Sequence, residues 1–180
     1  MSVHLGDQSV WQSQNMEHLR YEYDLKPTDL VLDIGSYRME WANEILKRYG
    51  CRVICFDALD NNAAWIFEGE LEMGGQYYYT SMYDKGELGA VRKVKCVDIA
   101  KYLKDDVELM KVNIEGGEYT LLDYIIRKGL IWNIKHLQVQ FHYVDGLDCE
   151  ALYADIAKRL SVTHSIQWRY PFCWESWKRG

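Results

Sequence analysis

The stretch LMKVNIEGGEYTLLDYII, residues 109–126, holds the pattern on which the predicted fold of this chain depends. Its first part is largely apolar and ends at Asn113 and Glu115, and its last part places apolar residues at helical spacing. Gly116 and Gly117 separate the two parts and permit a sharp turn. The stretch therefore predicts a buried strand that brings polar groups to its carboxyl end and then runs into a helix.

The same alternation of strand and helix extends in both directions along the chain. Gly50 and the pair Gly74 and Gly75 provide helix ends, and Pro171 lies between two final strands. We predict strands at 29–36, 51–59, 76–82, 107–115 and 134–142, helices at 38–50, 60–75, 117–129 and 149–160, a short strand and helix within 93–106, and two strands within 162–177.

This order of elements predicts a Rossmann-like α/β fold. Strands that alternate with helices form a mostly parallel sheet with helices on both faces, and two strands without an intervening helix form an antiparallel hairpin at one edge. Residues 1–24 show no sustained period, so we expect an N-terminal arm or short helix over the domain. With 180 residues, the chain has room for one domain, with the arm at 1–24 and the α/β core at 25–180.

Composition excludes several kinds of partner. A net charge of -6 argues against binding to nucleic acid or to an anionic membrane surface, which needs clustered Lys and Arg. The five cysteines are scattered and include no C-x-x-C pair, so a reducing, cytoplasmic compartment is the simpler expectation. No apolar stretch approaches the roughly 18 residues of a membrane span, and nothing in the sequence fixes the oligomeric state.

Polar residues fall at the predicted carboxyl ends of the strands, where open parallel sheets bind their ligands. Some have simpler explanations: Asp33 as a helix cap, Asp57 as a loop acid, and His142 as a histidine bonded to backbone. The strand-end residues, in chain order, are Asp33 and Gly35, Asp57, Ser81 and Met82, Asn113 and Glu115, and Gln140 and His142.

The joint pattern indicates a nucleoside-containing ligand. A glycine turn after the first strand lets backbone N–H groups approach a ligand, and Asp57, at the end of the second strand, suits the two hydroxyls of a ribose. The chain lacks the G-x-G-x-x-G of a dinucleotide site and the G-x-x-x-x-G-K-[ST] of a P-loop, so a nicotinamide oxidoreductase is disfavoured. A ligand with ribose and adenine but no phosphates, such as S-adenosylmethionine, fits better.

Four segments resemble the FkbM-type family of S-adenosylmethionine-dependent methyltransferases. They are VLDIGSYRMEWA (31–42), VICFDA (53–58), LMKVNIEGGEYTLL (109–122) and LQVQFH (137–142), and the resemblance covers roughly residues 30–142. The third segment is the most specific. Three positions depart from the family pattern: Met39 stands where a glycine often lies, Asn113 replaces the usual Asp, and Gln140 replaces the usual Glu.

The resemblance implies a class I methyltransferase fold with a seven-stranded sheet, and it implies a role for each matching residue. Asp33 would hold the amino-acid part of S-adenosylmethionine, and Asn113 would face its methionine end. Gly35, Ser36 and Tyr37 would line the turn beneath the cofactor, Asp57 would bind the ribose, and Ser81 and Met82 would border the adenine.

For the reaction we expect O-methylation of a small molecule or a carbohydrate. Methyl transfer to a hydroxyl needs positioning and a base. His142 is the first candidate for the base, because its ordinary pKa near 6.5 suits proton removal at neutral pH. Glu115 is the second, as a carboxylate that orients the acceptor or fixes the tautomer of His142.

Three alternatives remain at this stage. The accepting atom is not fixed, so N-methylation stays open. A metal-assisted reaction would draw on Asp57, Asp60, Asn113, Glu115 and His142, which are all oxygen or imidazole donors. A non-catalytic module that binds the cofactor or a protein partner would explain the three departures from the family pattern.

Overall fold

The structure, a computed structural model, describes residues 2–57, 78–80, 91–93 and 98–180. Four of the sequence predictions, the helix at 60–75 and residues Asp60, Ser81 and Met82, lie outside this range. In chain order the described elements are β1 (Val3–His4), α1 (Ser9–Ser13), β2 (Leu30–Ile34), α2 (Glu40–Tyr49), β3 (Arg52–Phe56), β4 (Tyr78–Thr80), β5 (Val91–Lys93), β6 (Val107–Val112), α3 (Glu118–Arg127), β7 (Ile134–Val139), β8 (Tyr143–Val144), α4 (Cys149–Leu160), β9 (His164–Tyr170) and β10 (Trp174–Arg179). Short 3-10 helices at Met16–Arg20, Ile99–Lys101 and Leu130–Asn133 complete this list.

The main sheet has the strand order β3-β2-β6-β7-β10-β9. The first four strands pair in parallel, and β10 runs antiparallel to both β7 and β9. The α/β class is therefore confirmed, but the sheet is mixed, and the expected arrangement of seven mostly parallel strands is not confirmed. From β2 the chain continues to β3 on one side and later to β6 on the other, which makes the boundary between β2 and β6 a topological switch point.

The third predicted strand does not extend the main sheet within the described residues. Tyr78–Thr80 pairs antiparallel with Val91–Lys93 in a separate two-stranded sheet. An antiparallel pair of strands does not need the crossover connection that a parallel pair requires. Of the range 93–106, where a short helix was expected, the described residues 98–106 form a 3-10 turn at Ile99–Lys101.

Helices cover both faces of the sheet, as the strand pattern predicts. In β2, Val31 packs in one apolar cluster with Trp41 and Ile45 of α2, while the next residue, Leu32, packs in another with Leu122 and Ile125 of α3. Successive side chains of a strand point to opposite faces, so a buried strand needs a cover on each side. The two clusters fix β2 and β6 at the centre of the molecule.

Local sequence signals set the helix ends. Gly50 ends α2 in a left-handed conformation, with φ of 65° and its N–H donated to the carbonyl oxygen of Leu46 at 2.8 Å. Asp148 precedes α4, and its carboxylate accepts the N–H of Ala151 at 3.0 Å. These ends determine where the following strands begin.

The N-terminal arm lies against the C-terminal hairpin. β1 pairs antiparallel with β8 through Val3 and Val144, and the N–H of Gly6 donates to the carbonyl oxygen of Phe172 at 2.8 Å. Trp11 of α1 packs in a third apolar cluster with Trp174. The described part of the chain contains no helix with the length and apolar character needed to cross a membrane.

Candidate functional site

The turn after β2 requires glycine because it packs directly on the end of β6. Gly35 has φ of +82°, and a Cβ placed on it would lie 1.7 Å from the carbonyl oxygen of Asn113. Tyr37 and Met39 also adopt left-handed backbone, with φ of 48° and 64°. Met39 thus keeps the conformation that a glycine favours at this position. Such strain costs energy and is concentrated at functional sites more often than elsewhere.

The N–H groups of this turn bond within the protein. Gly35 and Ser36 both donate to the carbonyl oxygen of Phe56, at 2.7 and 3.0 Å, and Tyr37 donates to Oδ2 of Asp57. The sequence predicted that these N–H groups approach a ligand. In the structure they instead donate to Phe56 and Asp57 and so hold the turn against β3. Asp57 therefore fixes the turn as well as ending the second strand.

A buried ion pair crosses from β2 to β6. Nζ of Lys111 donates to Oδ1 of Asp33 at 2.9 Å and to the carbonyl oxygen of Gly35 at 2.7 Å, and both side chains are buried. Burial raises the pKa of Asp33 and lowers that of Lys111, and their contact opposes both shifts. Sequence reasoning missed Lys111, although a lysine inside an apolar strand is itself a signal, because a buried charge needs a partner.

Three buried oxygen atoms near this pair have no hydrogen-bond partner among the described residues. They are Oδ2 of Asp33, Oγ of Ser36 and Oδ1 of Asn113. All three belong to the carboxyl ends of β2 and β6 or to the turn between β2 and α2. Buried polar atoms are nearly always satisfied in folded proteins, so this group indicates a place where a ligand with donor groups would fit.

A second polar group lies at the end of β7. Oε1 of Glu118 accepts the N–H of Ile114 at 2.8 Å and contacts Nδ1 of His142 at 2.9 Å, while Oε2 accepts the N–H of Gly116 at 2.9 Å. Glu115 reaches Nε2 of His142 at 3.6 Å. The residue that orients His142 is therefore Glu118, whereas the sequence suggested Glu115 for this task.

The carboxylates change the protonation of His142. Burial alone would lower its pKa, but the hydrogen bond and charge of Glu118, together with Glu115, outweigh burial and raise the pKa above its ordinary value. Burial also raises the pKa of Glu115, and the nearby His142 opposes this shift. His142 therefore holds its proton more firmly than an ordinary histidine, and at neutral pH a smaller fraction of it is in the neutral form that can accept a proton.

A cavity of about 490 Å³ opens between the N-terminal arm and the carboxyl ends of β6 and β7. Asn113 and Gln140 line it from the sheet, and Trp174 lines it from the start of β10. The arm supplies the other wall through residues between Gln8 and Arg20. Among the described residues to which the sequence analysis assigned a site role, only Asn113 lines this cavity. Glu115 and His142 do not line it.

The structure thus brings the predicted residues into two groups. The first joins Asp33, Gly35, Ser36 and Asn113, with Tyr37 and Asp57 at its rim, and the second joins Glu115 to His142. In the described ranges no three acidic, histidine or cysteine side chains come together in a way that could hold a metal ion. Comparisons with protein-family models, with curated proteins and with solved structures found no match.

Proposed function

We propose that this chain is an S-adenosylmethionine-dependent methyltransferase that methylates an oxygen atom of a small molecule or a carbohydrate. The observation that carries the proposal is the set of unpartnered buried oxygens on Asp33, Ser36 and Asn113. An amino-acid ammonium group donates hydrogen bonds, which is what these acceptors lack. A cofactor with such a group at this edge would remove the energetic cost of leaving them unpaired.

The topology supports the same location. The three oxygens lie at the switch point between β2 and β6, where open α/β sheets bind ligands. The order β3-β2-β6-β7-β10-β9, with antiparallel β10 inserted between β7 and β9, is compatible with the class I methyltransferase fold that the sequence resemblance implies. The strained turn at Gly35 supports a site at this edge as well.

Each residue of the first group then has a task. Asp33 would accept a hydrogen bond from the ammonium group through Oδ2, since Lys111 occupies Oδ1. Asp57 would accept hydrogen bonds from the ribose hydroxyls, and Asn113 would lie beside the methionine end. The cofactor supplies a methyl group already activated by a sulfonium, so the protein has mainly to position the acceptor and remove its proton.

As the proton acceptor the geometry favours Glu115 over His142. His142 has both ring nitrogens beside carboxylates and a raised pKa. Glu115 is partly exposed, and a raised pKa makes its carboxylate a better base than an ordinary glutamate. In this scheme His142 is a positioning residue that holds Glu115 in place.

Calorimetric titration with S-adenosylmethionine tests the proposal. We expect binding to the wild-type chain and affinity weaker by about tenfold or more in Asp57→Asn, because the loss of a charged hydrogen bond costs roughly 1.5–3 kcal/mol. The carboxamide keeps one oxygen for the N–H of Tyr37. Asp29→Asn is a matched control, since Asp29 accepts the N–H of Lys26 at 2.7 Å in a turn at the opposite end of β2. Absence of wild-type binding would refute the proposal.

A non-catalytic module that binds the same cofactor is the second candidate. It is favoured by the raised pKa of His142 and by the absence of His142 and Glu115 from the described cavity lining. Transfer of a labelled methyl group from the cofactor to a panel of hydroxyl compounds separates the two candidates. Cofactor binding with no transfer to any member would favour the module. If Glu115→Gln transferred the methyl group at the wild-type rate, Glu115 would not be the base.

A further inference from the structure

Carboxamides are the commonest side chains in the lining of the cavity beneath the N-terminal arm. Among the described lining residues five carry this group, three from the arm and two from the ends of β6 and β7. They are Gln8, Gln12, Asn15, Asn113 and Gln140. Each carboxamide offers both donors and acceptors of hydrogen bonds and carries no charge.

The charged residues in the lining neutralise each other. Glu17 and Arg20 form an ion pair, and Glu17 also accepts the indole N–H of Trp11 at 3.2 Å. The guanidinium of Arg20 lies 4.0 Å from the ring centre of Trp174. A charged ligand would therefore find no uncompensated opposite charge among the described lining residues.

Gln140 gives the cavity a built polar group. The residue is 7% exposed and lines the cavity, and the other lining carboxamide from this edge, that of Asn113, has a buried Oδ1 with no hydrogen-bond partner among the described residues. A buried carboxamide without partners is costly unless a ligand or water satisfies it. The position at the carboxyl end of β7 directs this side chain to the same edge as Asn113.

The wall formed by the arm is attached to the rest of the domain. Pairing of β1 with β8 and the bond from Gly6 to Phe172 hold its first residues, and the indole N–H of Trp41 donates to the carbonyl oxygen of Arg20 at 3.0 Å at its other end. The cavity between these attachments is thus part of the folded structure. Its volume of about 490 Å³ falls within the range of sites for small molecules.

We infer that this cavity binds a neutral polyhydroxylated ligand of the saccharide type. Sugar hydroxyls donate and accept hydrogen bonds as carboxamides do. A neutral saccharide also needs no compensating charge. This binding does not depend on methyl transfer, and only the further assignment of the saccharide as methyl acceptor rests on the proposed function.

The test is ligand-detected saturation-transfer NMR on the full chain with neutral methyl glycosides. Glucuronate, glucosamine and indole are comparison ligands. We expect signals from at least one neutral glycoside that exceed those from its charged relatives and from indole. Gln140→Leu should weaken glycoside binding by about tenfold, because it removes a carboxamide from the cavity lining at similar volume.

Gln138→Leu is the matched control. Gln138 lies two residues earlier on β7, is fully buried and does not line the cavity. We expect it to leave glycoside binding unchanged. Equal losses in both variants, stronger binding of the charged sugars or of indole, or no glycoside binding would each overturn the inference.

A competition experiment separates this inference from the proposed function. If S-adenosylmethionine binds and displaces the glycoside, the cavity belongs to the cofactor and the inference is wrong. If the glycoside binds and no S-adenosylmethionine binding is found, the inference stands and the proposed function fails. If both bind together, each is supported.

Discussion

Replacement of Gly35 by alanine should be far more damaging than the same change at Gly50. Both glycines have left-handed backbone, with φ of +82° and +65°, so both variants carry the conformational cost of roughly 1–2 kcal/mol. At Gly50 an added Cβ meets nothing within 4 Å, whereas at Gly35 it would lie 1.7 Å from the carbonyl oxygen of Asn113. The two variants therefore differ mainly in the close packing of the turn on β6.

The additional cost at Gly35 follows from its contacts. To remove the clash the turn must move away from β6, which breaks or stretches the bonds of Gly35 to Lys111 and to Phe56, both 2.7 Å long. Each is worth about 1 kcal/mol, and more for the charged one, so we expect a total loss of about 3–5 kcal/mol in Gly35→Ala. In a chain of this length 1 kcal/mol lowers Tm by about 2–4 °C.

Urea and thermal unfolding of both variants beside the wild type measure this difference. We expect Tm to fall by a few degrees in Gly50→Ala and by roughly 10 °C or more in Gly35→Ala. Titration of Gly35→Ala with S-adenosylmethionine below its Tm should show weakened binding. Equal loss of stability in the two variants would refute the reasoning, because it would mean that the turn after β2 does not pack on Asn113.

Two further predictions concern the buried charges. Lys111→Met leaves Asp33 as an uncompensated buried carboxylate and should lower the free energy of unfolding in urea by roughly 3–5 kcal/mol. Lys135→Met breaks a surface ion pair and should lower it by less than about 1 kcal/mol. Similar losses in the two variants would contradict the buried ion pair. In Glu118→Gln the pKa of His142 should fall in an NMR titration of the imidazole. Because the wild-type pKa of His142 is raised, the stabilisation it provides is fully present below about pH 6.5 and is lost as pH rises through the folded-state pKa. The stability difference between wild type and Glu118→Gln should therefore be larger at about pH 6 than at about pH 9, and a constant difference would exclude the ion pair.

Much of the fold could be predicted because its signals are local. The helix predicted at 149–160 is α4, and the glycine stop predicted after the first helix is Gly50, the residue that ends α2. Periodicity and end signals depend on neighbouring residues, so a single sequence contains them. The described part of the third predicted strand does not pair with the main sheet as expected. Local sequence does not show which distant strand a given strand pairs with.

The residues of the candidate site likewise divide into those that local sequence reveals and those that it does not. The sequence located the polar residues at strand ends, including Asn113 and His142, because an acid, amide or histidine after an apolar run is visible locally. It did not identify Lys111 as the partner of Asp33, nor Glu118 as the partner of His142. These contacts join residues far apart in sequence or depend on the backbone of a turn, such as the left-handed Glu115 that leaves Glu118 to face His142.

By itself, the sequence determined the succession of strands and helices and the polar edge at the ends of the strands, because side-chain pattern and backbone preference act over a few residues. Only the tertiary structure decided that β10 rather than β9 pairs with β7, and that the arm encloses a cavity lined by carboxamides. It also decided that the N–H groups of the Gly35 turn bond to β3 and Asp57. These outcomes depend on which surfaces, distant in the chain, pack together, and local sequence does not determine that packing.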